Sequence, residues 1–135
     1  MAVTTTEYDQ FKDIVLNGVD WDSTPLKIAL FTDSHVPNNA DTTFGSLSNE
    51  SSGSGYTAGG ETIPNRGISG GVVTGDPVTW SSLTIGVRYV VLYADATIGG
   101  VNKPVLLRYD LGSELTLNAV PWSFSWENNK IYKLT

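Results

Sequence analysis

A chain of 135 residues has room for one hydrophobic core and no second one. Only 16% of it is charged, the net charge is −6 with eight scattered basic residues, and there is no cysteine. That balance speaks against nucleic acid as a partner and excludes disulfides, thiolate chemistry and the usual zinc sets, while four Trp, six Tyr and four Phe supply enough apolar material to fold.

The polar opening, Met1 to Glu7, does not read as a signal peptide. No apolar run approaches the roughly 18 residues that span a bilayer, so the expectation is a soluble protein with no membrane partner. Thr4-x-x-Glu7 fits a capping box, and Tyr8, Phe11, Ile14 and Val15 recur at helical spacing up to Asn17-Gly18, a good stop. This predicts one short N-terminal helix over about residues 5–17, packed on the body by its aromatic face.

From Pro25 onward the period changes to two. Leu26, Ile28 and Leu30 share one strand face, and Val87 to Tyr93 is apolar on both faces, as a central strand covered twice should be. Val105 to Leu111 and Trp122 to Trp126 alternate likewise, Ile131 to Leu134 forms a short closing strand, and Gly60 to Ile63, Gly67 to Val73 and Val78 to Ser81 are weaker candidates. Many short strands with one helix predict a mainly β chain, an antiparallel β-sandwich or jelly roll, as a single domain over residues 1–135. Between about residues 33 and 60 lies a long polar loop, read as an excursion that leaves the body and touches a partner, with Phe44, Leu47 and Tyr56 as its apolar anchors.

The chemistry on offer is sparse. His35 is the single histidine, in a polar loop with only Asp33 and Ser34 close by, and reads as a solvated surface residue. Asp20-Trp21-Asp22 opens like a calcium loop but lacks the later ligands. Gly53-Ser54-Gly55 and Gly59-Gly60 have no following Lys and no strand-to-helix setting, so tight turns explain them better than a phosphate cradle. Glu50, Glu61, Glu114 and Glu127 stand in no recognisable motif. Trp122, Phe124 and Trp126 on one face suit a core better than a sugar-stacking platform, and Trp21 and Trp80, beside turns, are expected to be partly exposed. No catalytic residue, no metal ligand and no cofactor is assigned, and the chain is not read as an enzyme.

The pattern Asn49-Glu50, then Gly53-x-Gly55-Tyr56-Thr57-x-Gly59-Gly60, resembles a family of small virion proteins of tailed bacteriophages. The surroundings agree in order: Tyr8 to Lys12, the Leu26 to Phe31 strand, Val78 to Ser81, Val91 to Tyr93, and the closing Trp122 to Leu134. The resemblance implies a capsid cement or decoration protein with a β-sandwich or jelly-roll fold, bound to the capsid exterior of the virion after synthesis in the host bacterial cytoplasm. Its implied partners are the major capsid protein and itself, as a homodimer or homotrimer; on that reading the long polar loop and the N-terminal segment are the expected capsid contacts, with Phe44, Leu47 and Tyr56 as the loop's apolar anchors. A tail or fibre component, or a carbohydrate-binding β-sandwich module, are the alternatives.

Overall fold

Two-residue alternation builds the centre of the molecule. The computed structural model describes residues 3–21 and 23–133. In chain order its elements are strand β1 (Thr4–Glu7), helix α1 (Phe11–Leu16), and strands β2 (Leu26–Phe31), β3 (Glu61–Thr62), β4 (Gly67–Ser69) and β5 (Val72–Thr74). Strands β6 (Val78–Ala94), β7 (Thr97–Ile98), β8 (Val101–Asn102), β9 (Val105–Phe124) and β10 (Lys130–Lys133) follow. They form a five-stranded sheet in the order β1-β9-β6-β2-β3, a three-stranded sheet β10-β5-β4, and the small β7-β8 pair, with every pairing antiparallel.

The large sheet is covered on both faces. Ile28, Leu30, Val90 and Leu92 point to the main core, where Phe11 and Ile14 of α1 meet Val73 and Ile131 of the smaller sheet. Ala29, Phe31, Tyr89, Val91 and Tyr93 point the other way into a small satellite cluster with Tyr8 and Val105, beneath the 33–60 segment. The protein is therefore mainly β and sandwich-like, with one α-helix among the described residues, as its sequence predicts. Val87 to Tyr93 is indeed central, since β6 lies between β9 and β2. No described helix is long and apolar enough to cross a membrane.

The structure corrects several boundaries. The helix does not begin near residue 5: Thr4 to Glu7 pair with Asp110 to Leu107 of β9 instead. Three consecutive β-branched threonines favour that extended edge, and no side chain caps α1, whose N-cap is Gln10. The C-terminal stop holds, with Gly18 at φ 127° after Asn17, and Phe11 and Ile14 form the buried face. Gly67 to Val73 is a hairpin rather than one strand, turning at Gly70 and Gly71 with φ of 59° and 77°.

Val78 to Ser81 and Val87 to Tyr93 are two ends of one strand, β6, and β9 likewise joins Val105 to Leu111 with Trp122 to Phe124. Gly112 and Pro121 look like breakers, but the β6–β9 ladder absorbs them through register shifts, for instance between the pairs Val87/Leu115 and Tyr89/Asp110. Trp21 and Trp80 are each only 4% exposed, not partly exposed as expected. The last predicted strand is seen as β10; its final residue, Leu134, lies outside the described residues, as does Asp22.

Candidate interaction surface

The segment from Asp33 to Gly60 does not leave the body. It runs as a strap across the second face of the large sheet and then along its edge. Phe44, half-buried, stacks on Tyr93 with ring centroids 4.1 Å apart and planes 12° from parallel, and Leu47 packs beside it on the same small cluster. His35 is buried rather than solvated. Its Nδ1–H donates to the Ser48 carbonyl at 2.8 Å, because a carbonyl can only accept, and its ring lies 4.8 Å from that of Phe31. Nε2 is enclosed without a hydrogen-bond partner.

The glycine motif explains how the strap turns the corner. β2 ends at Phe31, opposite Tyr89, so the edge of β6 beyond that point would stand open. The strap occupies the vacancy: Ser51 Oγ donates to the Gly86 carbonyl at 2.6 Å, and the Thr84 amide donates to the Ser54 carbonyl at 3.0 Å. Any Cβ on Gly53, Gly55 or Gly60 would fall well inside contact distance of the carbonyl oxygens of Thr84, Ser82 and Ile28 respectively. All three also have positive φ, of 156°, 88° and 78°. Tight turns were expected of these glycines; the close backbone approach is the second reason for them.

Glu50 and Tyr56 lock the arrangement. The Glu50 carboxylate accepts from Tyr56 Oη at 2.6 Å and from the Gly59 amide at 2.7 Å, while Tyr56 Oη accepts from the Leu30 amide at 2.9 Å. Tyr93 Oη donates to the Gly59 carbonyl at 2.5 Å. Burial, and next the bond to Glu50, push the Tyr56 phenol above its ordinary pKa, so it stays a donor. At the other end of the strap Arg88 donates to Asp33 at 2.6 Å and to Asp110 at 3.1 Å, and the Asp33 amide donates to Glu114 at 2.9 Å. Burial raises the Asp110 carboxyl, but Arg88 and the Gly112 amide outweigh it and hold the group below its usual range.

Of the residues singled out from sequence, Phe44, Leu47 and Tyr56 are thus brought to one strap, each half-buried against the body. Three of the four glutamates are not gathered: Glu50 and Glu114 hold different strap bonds and Glu61 is exposed on β3, while the side chain of Glu127 lies outside what the structure describes. No group of three or more metal-ligating side chains occurs among the described residues. Trp122 is half-buried, 5.9 Å from Trp80, while Phe124 and Trp126 are buried, and Trp126 Nε1 donates to Tyr109 Oη at 3.0 Å.

Two surface features escape a reading by periodicity. Val36 on the strap is 77% exposed and Leu16 at the end of α1 is 86% exposed. A cavity of about 350 Å³ opens beside Tyr109, Phe124 and Trp126, with Thr5 and Lys130 on its lining. Comparison of the chain with models of protein families, with curated proteins and with solved structures returns no significant match.

Proposed function

We propose that this chain is a structural virion protein of a tailed bacteriophage that binds the outside of the capsid and cements neighbouring major capsid proteins. The observation that carries the reading is the order of motifs along nearly the whole sequence, from Tyr8 to Leu134, centred on Asn49 to Gly60. The geometry supports it in one respect. A strap fastened by Glu50, Tyr56 and the Gly53-x-Gly55 approach is a preformed surface, so little ordering entropy opposes its docking. Val36 and the solvent sides of Phe44 and Leu47 would supply its apolar contacts, whereas Tyr56 acts mainly by holding the strap in shape. Repeated over a lattice, modest interfaces of this kind add through avidity.

The test compares purified capsids with and without the protein under heat and osmotic shock. Complete capsids should survive conditions that rupture bare ones; equal survival, or no binding of the purified protein to bare capsids, overturns the reading. Binding to tails or fibres instead would favour the tail-component alternative. The cavity beside Tyr109, Phe124 and Trp126 is where a carbohydrate-binding module would have to hold a sugar, but these rings are buried and set at 57–88° to one another, so they offer no flat stacking face. Tryptophan fluorescence titrated with host polysaccharides decides it, since an unchanged spectrum at millimolar sugar removes that reading.

A further inference from the structure

The strap closes one side of the β6–β9 ribbon; the other side is open. β1 pairs with β9 only between Leu107 and Asp110. Beyond that, among the described residues, no strand lies on the outer edge of β9 at residues 114–118. Glu114, Thr116 and Asn118 are exposed there, and Leu115 and Leu117 are half-buried against the main core. The inner side of this stretch is occupied, with Leu115, Thr116 and Leu117 opposite Val87, Gly86 and Ile85 of β6. Devices that spoil an edge stand at its ends and not within it: Gly112 at φ 93°, Ala119 at φ 52°, and Pro121. A free row of N–H and C=O groups between them is a template for one more strand.

The sequence of this stretch is complementary to itself. Antiparallel pairing of two copies about a two-fold axis at Thr116 sets Thr116 opposite Thr116, Leu115 opposite Leu117, and Glu114 opposite Asn118. The half-exposed leucines then form one continuous apolar row on the core side, and no like charges face each other. Shifting the axis to Glu114 would set two carboxylates against each other, and shifting it to Leu115 or Leu117 would leave a leucine opposite Ser113 or Ala119, so the Thr116 register pairs the leucines best. We propose that this edge is where two copies of the chain join, continuing one sheet through both molecules. The inference rests on the reading of the chain as a self-associating virion component and names the surface involved. A strand pair this short buries less than the roughly 1,600 Å² of a standard stable interface. The free protein should therefore dimerise weakly, and firmly only where a lattice holds copies side by side.

The absence of native cysteine makes the test direct, since one introduced thiol is the sole thiol. Residues facing each other across an antiparallel pair have Cα atoms about 4.5–5.5 Å apart, within reach of a disulfide. Under mild oxidation Thr116→Cys should form a covalent dimer about tenfold faster than Ser52→Cys, an exposed position on the far side of the ribbon. An equimolar mixture of Glu114→Cys and Asn118→Cys should give mainly the mixed dimer, with circular dichroism confirming that each variant is folded. Equal rates at Thr116 and Ser52, or no preference for the mixed dimer, overturn the proposal. So does a Thr116→Cys chain carrying a thiol-coupled photo-cross-linker that stays monomeric alone and captures only the major capsid protein in particles. Thr116→Lys, which sets like charges across the axis, should abolish the dimer. Failure of the cross-links while the wild-type chain still binds capsids removes the edge alone; cross-links without capsid binding remove the virion reading alone.

Discussion

A methyl group added at Gly55 would meet the Ser82 carbonyl, and the same is true of Gly60 with the Ile28 carbonyl. Gly70 also has positive φ, 59°, but nothing surrounds its would-be Cβ. The pair separates two causes of glycine preference. Gly70→Ala should lose only the left-handed backbone cost, about 1–2 kcal/mol. Gly55→Ala adds displacement of a sheet strand to the strain and should lose about 2–5 kcal/mol. Urea midpoints of the two variants check this, and equal losses would mean that the close approach does not matter. Tyr56 is the hydroxyl counterpart of these glycines. Tyr56→Phe leaves the Leu30 amide and one side of the Glu50 carboxylate without their partner, a loss of about 1–3 kcal/mol by the same measurement.

The strap is the element that sequence describes least well. Its Ser, Asn and Gly content reads as an excursion, because each residue is judged by its neighbours in the chain. Its partners are far away: Ser51 bonds at Gly86, Ser54 at Thr84, and Phe44 stacks on Tyr93. The same blindness hides His35, whose burial is set by Phe31 and Tyr89 across the sheet. By contrast, the alternation of Leu26 to Phe31 and the two-faced Val87 to Tyr93 were legible, since burial on a sheet face imprints period two directly. Thr4 to Glu7 looks helical because its capping pattern is local, whereas the pairing with β9 that overrides it is not. If Phe44 is a pin of the strap, Phe44→Ala should destabilise the fold by about 1–3 kcal/mol, less than a fully buried Phe would. Limited proteolysis should then cut first within residues 33–60; cleavage there at the wild-type rate would argue that the edge bonds alone hold the strap.

On the scale of the whole molecule, tyrosine hydroxyls tie the layers together. Tyr109 receives the Trp126 indole N–H, Tyr93 and Tyr56 hold the strap, and Tyr132 of β10 donates to Glu7 of β1. Burial pushes the phenols of Tyr8, Tyr56, Tyr93 and Tyr109 above their ordinary value. The bond to Glu7, and burial after it, push Tyr132 up to about 12. An unfolded tyrosine titrates near pH 10. Above that pH the unfolded chain releases phenolic protons that the folded chain keeps, so the folded state binds more protons and unfolding free energy falls as pH rises. The stabilisation is complete below about pH 10 and is lost as pH climbs through the folded values, at about 1.4 kcal/mol per pH unit for each buried tyrosine held neutral. A domain with ordinary stability of about 5–15 kcal/mol then unfolds cooperatively between about pH 10 and 12. Urea midpoints measured from pH 8 to 11 should stay level and then fall. Tyr109→Phe should shallow the fall by about one proton relative to wild type, although it starts from a lower stability because Trp126 Nε1 loses its acceptor. Midpoints that remain level through pH 11, or an unchanged slope in the variant, would show that the buried hydroxyls do not couple folding to alkali.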